Sequence, residues 1–328
     1  MQALVTGGGG FLGRYVVEQL LGAGHKVRVF CRGRYDALSR QGVQVVQGDI
    51  RDAAAVTAVC EDMDAVFHIA AIPGIWGRWE TYRSINLMGT QNVIQACRHA
   101  GVSRLIYTSS PSVVFVGNDH RDADESLPYP KIWTCHYPHS KALAEQAVMR
   151  ANADGLRTTS LRPHLIWGPR DNHLIPRLIR KAKTGRLRRV GAGKNVVSVS
   201  YVENVAAAHL QVERSLRNST CAAGKSYFIN EPEAVNLWNW IDELLEFAGL
   251  PPIQKSISAA AAYRIGHSME LLWRLLPGEP PLTRFVASQL TSSHSYSIQA
   301  AVRDFGYSPV CTMQEGMHKL RTELAQLH

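Results

Sequence analysis

Tyr137-Pro138-His139-Ser140-Lys141 brings together, within one turn of chain, the two side chains best suited to chemistry. Four residues apart on a helix, a phenol and an ammonium share one face. An ammonium beside a phenol favours the phenolate, so the spacing predicts a Tyr137 pKa drawn down from about 10 towards working pH. Such a tyrosine is a general acid able to deliver a proton to a carbonyl oxygen during reduction. Upstream, Thr108-Ser109-Ser110-Pro111 adds hydroxyls. Ser110 is placed to hydrogen-bond a carbonyl or its developing oxyanion, or simply to cap the segment after it.

A reduction also needs a hydride donor, and the N-terminus offers a site for one. Thr6-Gly7-Gly8-Gly9-Gly10-Phe11-Leu12-Gly13 separates an apolar run from a helical pattern. Glycines at 7, 10 and 13 allow a tight turn, close backbone approach to a pyrophosphate and close helix–strand contact. The N–H groups at the start of that helix then face phosphate. About twenty residues further on, an NAD site carries an acid for the ribose 2′-hydroxyl; here stands Cys31-Arg32-Gly33-Arg34. Guanidinium binds phosphate in a bidentate fork, so Arg32, with Arg34, predicts NADP(H). Asp49, in Gly48-Asp49-Ile50, is placed to meet the adenine or is a plain loop aspartate.

The elements that must position these groups alternate. Short apolar runs recur at Ala3–Val5, Val27–Phe30, Val43–Val46, Ala65–Ile69, Leu105–Tyr107 and Thr158–Leu161. Helical patterns lie between most of them, Leu12, Val16 and Leu20 ending at Gly22 and Gly24 being one. The helix opened at Tyr137 runs towards Ala153 and stops at Gly155. Strands separated by helices predict an α/β, doubly wound, mostly parallel sheet. After Gly168-Pro169 the pattern loosens into short helices between proline-rich loops. The expected division is a dinucleotide-binding domain over 1–170 and a smaller, mainly helical cap over 171–328. Part of about 196–230 returns to the sheet.

Within the cap, Ala262, Ile265, Met269, Leu272, Trp273 and Leu276 form an apolar stripe at helical spacing. It is either a packing face or a greasy wall for alkyl chains. The net charge of +9 looks like a whole-protein property. It is not: residues 171–200 carry eight basic side chains against one acidic, while residues 201–328 carry ten against twelve. No reader motif or interleaved aromatics accompany the basic segment, which argues against nucleic acid. A solvated face, a carboxylate substrate or an acidic partner remain. The six cysteines show no metal-ligand spacing, no metal site is expected, and reduced thiols are. With no leader pattern at the start and no window of 18 apolar residues, a soluble, cytoplasmic chain is expected.

These motifs together resemble the extended short-chain dehydrogenase/reductases. Beside Thr6–Gly13, Thr108–Ser110 and Tyr137–Lys141, the resemblance includes His68-Ile69-Ala70-Ala71, the run Asn86–Val93, and Arg162-Pro163-His164-Leu165-Ile166-Trp167-Gly168-Pro169. Within that family, Tyr107–Phe115 (YTSSPSVVF) is similar to the 3β-hydroxysteroid and sterol-carboxylate dehydrogenases. LIWGPR (Leu165–Arg170), AYRIG (Ala262–Gly266), EPPLTRF (Glu279–Phe285) and DFGY (Asp304–Tyr307) are similar to the 2-alkyl-3-oxoalkanoate reductases of bacterial long-chain olefin biosynthesis. The resemblance implies Tyr137 as acid/base, with Lys141 tuning it and binding the nicotinamide ribose. It further implies Ser110 orienting the carbonyl and Asn86 in the proton relay. Phe11, Leu12, Ile50, Ala70 and Pro163 join the glycines, Arg32, Arg34 and Asp49 in contacting cofactor. The implied reaction is NADPH-dependent reduction of a long-chain 2-alkyl-3-oxo acid. The implied assembly is a homodimer alongside the pathway's ligase, hydrolase and thiolase-like condensing enzyme. Three other readings stand beside it: a sterol dehydrogenase, a nucleotide-sugar epimerase or dehydratase, and a non-catalytic NADP(H) sensor.

Overall fold

The computed structural model describes residues 1–153 and 155–326. Seven strands form one sheet: β1 Gln2–Thr6, β2 Lys26–Cys31, β3 Gln44–Gln47, β4 Ala65–His68, β5 Arg104–Thr108, β6 Arg157–Pro163 and β7 Lys225–Ile229. Their spatial order is β7-β6-β5-β4-β1-β2-β3, and every neighbouring pair is parallel. Helices cover both faces, so β1 and β4 are almost wholly buried, which is why they read as unbroken apolar runs. Strand order reverses at β1 and β4. Open α/β sheets bind ligands in the crevice beyond the carboxyl ends of strands at such a reversal. Thr6, His68, Thr108 and Pro163 end their strands at that edge.

Six of the strands coincide with the apolar runs, each within a residue or two at its ends. The seventh, β7, has only three strongly apolar residues and enters the sheet after the helix Val202–Asn218, pairing with β6. A second difference is that His120–Ala123, from the first half of the chain, leaves that sheet. It joins a small four-stranded one with His294–Tyr296, Val196–Val197 and Val235–Asn236. All six cysteines are free thiols. No helix among the described residues is long and apolar enough to cross a membrane.

Two cap helices, Ala259–Leu272 and Arg284–Thr291, pack together in a way the apolar stripe does not foretell. The inward face is Ala262, Gly266 and Glu270. A Cβ on Gly266 would stand 2.7 Å from the Thr283 carbonyl carbon, so the two backbones touch there. Glu270 accepts from Arg284 N at 2.7 Å and from its Nε at 2.6 Å. With small residues setting the approach, the stripe is rotated outward. Only its Ala262 is buried; Met269 and Trp273 are half-buried, and Ile265, Leu272 and Leu276 are exposed. Core packing is therefore the wrong reading of the stripe as a whole.

Candidate active site

The glycine loop has the geometry its spacing predicts. Gly7 holds φ +74, a left-handed conformation that favours glycine, and its carbonyl accepts from Gly10 N at 2.9 Å. A Cβ on Gly13 would lie 2.2 Å from the Gly7 oxygen, so no side chain fits where the helix Phe11–Gly22 leans on the loop. Gly10 precedes that helix with no side chain capping its first N–H groups. Those donors are what a pyrophosphate needs. Ala70 lies against Gly7, and its N–H reaches Thr6 Oγ1 at 3.3 Å. Leu12 and Ile50 are buried in the core, which leaves only their backbone to a cofactor. Phe11 is half-buried against the same core.

Around this loop lie two residues that motif reading missed. Tyr35 covers Gly9 so closely that a Cβ there would meet its ring at 2.0 Å, and the Arg14 guanidinium sits 5.5 Å from the Tyr35 centroid. Arg14 Nε also donates to Gly9 O at 3.2 Å. The exposed Arg32 and Arg34 flank Tyr35 in sequence. Asp49 is held by Arg51 at 2.7 Å, and that hydrogen-bonded guanidinium keeps its carboxyl below the usual range.

Tyr137 and Lys141 stand on the helix His136–Arg150, shorter at both the Ala153 and Gly155 end than the pattern suggests. Pro138 falls in its first turn, where a missing N–H costs nothing. Lys141 is buried, and its ammonium donates to Thr108 O at 2.6 Å while lying 4.2 Å over the Tyr107 ring. Burial draws it down to about 7, with Glu145 one turn along pulling the other way. Tyr137 is pushed up to about 12 by burial, a shift that the facing Ser110 hydroxyl opposes. The depressed phenol expected from the i, i+4 spacing is thus absent, because Lys141 points at the β5 carbonyl and not at the phenol.

Ser110 stands at the phenol and also caps the short turn Pro111–Val114, accepting from Ser112 N at 3.2 Å. Both readings of this serine hold at once. Ser109 is buried and turned towards Glu145 instead. Around Tyr137 closes an apolar cluster of Ile75, Phe115, Cys135, Phe285 and Val286, the last two from the cap.

Asn86 sits in a widened helical turn, Arg83–Met88. Such π-turns recur at functional sites. Its Nδ2 donates to Ile72 O at 3.1 Å and to Ser140 Oγ at 2.9 Å, while Oδ1 accepts from Ile72 N at 2.8 Å. Ser140 in turn donates to Tyr137 O at 2.8 Å. Both amide hydrogens are engaged, so Asn86 braces the loop after β4 against the Tyr137 helix where a relay was expected. Pro163, buried at the end of β6, pairs with Ile229. His164 is buried against His294, Nε2 to Nδ1 2.7 Å, and His173 precedes the helix Leu174–Lys183.

Below the site, His68 joins Thr6 Oγ1 (2.7 Å) to Thr90 Oγ1 (2.9 Å). Thr90 gives its own proton to Asn86 O at 2.6 Å, so it accepts from His68 Nε2–H, and Nδ1 accepts from Thr6. Burial, aided by Lys141, holds this neutral ring down to about 3; His209, on Thr108 Oγ1, is held by burial at about 4. Unfolded histidines protonate near 6.5, so between pH 6.5 and 4 the unfolded chain takes up protons that the fold refuses. Melting measured from pH 7 to 4.5 should show stability falling by about 2 kcal/mol per buried histidine. A pH-independent Tm across that window would contradict neutral His68 and His209.

Residues 4–258 match the 3-beta hydroxysteroid dehydrogenase/isomerase family. The chain belongs to that family. Among its relatives, the 2-alkyl-3-oxoalkanoate reductase of Stenotrophomonas maltophilia is 45% identical, covering 99% of this chain and 100% of its own. That of Shewanella oneidensis is 41% identical, covering 98% and 86%. The mouse sterol-4-alpha-carboxylate 3-dehydrogenase, decarboxylating, is 34% identical, covering 96% and 88%. The fold is also that of the Bacillus cereus UDP-glucuronic acid 4-epimerase solved with NAD (TM-score 0.77, 21% identity, covering 100% and 99%). This member of the dehydrogenase/isomerase family thus has its tyrosine, serine and glycine loop on one edge of a Rossmann-type sheet.

Proposed function

We propose that the protein reduces the 3-oxo group of a long-chain 2-alkyl-3-oxoalkanoic acid with NADPH, giving the 2-alkyl-3-hydroxy acid. The observation that carries this reading is the apolar surroundings of Tyr137: a phenol faced by the Ser110 hydroxyl and packed among Ile75, Phe115, Phe285 and Val286. Such surroundings suit alkyl chains, each buried methylene contributing about 0.8 kcal/mol. They suit a sugar diphosphate poorly, which disfavours the epimerase reading. The reductase names of two relatives at 45% and 41% identity support the substrate class. The sterol-dehydrogenase reading draws on the 34% relative and the family's name.

The loop fits a dinucleotide: uncapped N–H donors at Phe11–Gly13 for the pyrophosphate, and Arg32, Arg34 and Arg14 for a 2′-phosphate. Bound there, a nicotinamide would supply the hydride. Ser110 hydrogen-bonds the substrate carbonyl and aligns it with Tyr137. Tyr137 holds its proton through the neutral range, as an acid about to donate must. Lys141 lies buried beneath the site, steadies β5 through Thr108 O and is the group for the nicotinamide ribose. Intact Tyr137, Lys141 and Ser110 speak against a mere sensor. A cytoplasmic homodimer working beside a ligase, a hydrolase and a thiolase-like enzyme of olefin biosynthesis belongs to the same reading.

The direct test follows NADPH and NADH oxidation with a 2-alkyl-3-oxo acid, beside steroid oxidation with NAD. Brisk steroid turnover without keto-acid turnover would reverse the assignment. In the same assay Arg32→Asp is expected to shift preference towards NADH by about 10- to 100-fold, the worth of one charge-assisted phosphate contact. An unchanged cofactor ratio would remove Arg32 from the site.

A further inference from the structure

We propose that the end of the cap helix Ala259–Leu272, with the turn after it, docks the protein on an anionic lipid surface. Leu271, Leu272, Leu275 and Leu276 are 47%, 52%, 86% and 43% exposed, four large apolar side chains within six residues. The cause is the packing already described: Gly266 and Glu270 face the neighbouring helix and turn the leucines out. A contiguous exposed patch of this kind marks an interaction site.

Charge decides the occupant. The only exposed ionised side chains from Ala259 to Leu276 are Arg264 and Arg274, since Glu270 is buried on Arg284. The basic helix Leu174–Lys183 lies against the following turn: Lys181 Nζ donates to Pro281 O at 3.2 Å, and Arg177 pairs with Glu279 at 3.6 Å. Leucines and a half-buried Trp273 beside exposed Arg264 and Arg274 have the make-up of interfacial helices. Each basic group near an anionic bilayer adds to the attraction. A second copy meeting this face would set like charges together, which disfavours a dimer through it.

The turn after the patch also reaches the neighbourhood of Tyr137. Glu279 and the Tyr82 hydroxyl both lie beside Gly74, within 3.7 and 2.7 Å of where a Cβ would stand, and the Tyr82 ring is 6.5 Å from that of Tyr137. Docking stands on the patch alone; delivery of a long-chain acid from the bilayer rests on the proposed substrate class.

Co-sedimentation with vesicles tests it. The protein should pellet with equimolar phosphatidylglycerol and phosphatidylcholine at low salt, bind at least tenfold less to phosphatidylcholine alone, and release in 0.5 M salt. Leu271→Ser/Leu275→Ser should weaken binding at least tenfold with unchanged melting temperature and unchanged turnover of a short, water-soluble 3-oxo substrate. Wild-type protein left in the supernatant with anionic vesicles overturns the proposal, as does a double variant that still binds. A wild-type dimer split by the same variant overturns it too, by giving the leucines to a second copy. Sedimentation and melting are read without turnover, so a failed substrate assignment leaves this test standing.

Discussion

Replacing Tyr137 with phenylalanine is expected to lower turnover about 10²- to 10⁴-fold, the usual worth of a positioned general acid. The variant loses one hydroxyl from a half-buried ring, whose packing against Ile75, Phe115 and Phe285 is kept. Folding and nucleotide binding should therefore survive, because the glycine loop and the arginines lie on other elements. KM should change little, since Ser110 still holds the carbonyl, and the loss should fall on kcat. The pH profile supplies an independent readout. With burial holding the phenol up at about 12, the wild-type acid stays protonated across neutral pH. The limb that Tyr137 governs should therefore appear only in strong alkali, and the phenylalanine variant should lack it. Turnover within tenfold of wild type would give the proton to another donor and remove Tyr137 from the role.

How much of this site is written in the sequence follows the distance between partners. The Gly7–Gly13 turn and the Tyr137–Lys141 pair are local, each complete within one turn of chain, and both are where their spacing puts them. What the spacing cannot carry is direction. Lys141 shares a helical face with Tyr137, yet a carbonyl of β5 attracts its ammonium more strongly than the phenol does. Asn86 was visible as a residue but its partners were not, for Ile72 and Ser140 lie 14 and 54 positions away. The sequence places a return to the sheet within about 196–230, where β7 lies, but the bounds of that strand and its pairing with β6 show only in the structure. In the cap, periodicity showed an apolar stripe but not which face turns inward, because a backbone contact at Gly266 outranks the pull of the leucines.

The buried pair Glu145–Arg162, invisible in the sequence for the same reason, yields the second large effect. Glu145 is wholly buried on the Tyr137 helix, and Arg162, 3% exposed, lies on β6. Burial penalises the carboxylate, but Arg162 outweighs it and holds the group ionised. The carboxylate accepts from Arg162 at 2.6 Å, Ser160 Oγ at 2.8 Å and the Tyr129 hydroxyl at 2.7 Å, so one residue ties helix, strand and loop together. Glu145→Gln keeps the shape but strands a guanidinium in the interior, which costs about 3–5 kcal/mol. In a chain of this size that lowers Tm by about 4–7 °C. Lys141 also loses the charge that sustains its ammonium, so its pKa should fall further and any alkaline limb that it governs should move to lower pH. Glu145→Gln/Arg162→Met separates charge from structure: removing both ions should recover much of the lost stability, because an uncharged pair of similar volume avoids the burial of an unpaired charge. Simple additivity of the two single variants would show that the two ions act apart, and the helix bearing Tyr137 would then be held to the sheet by packing alone.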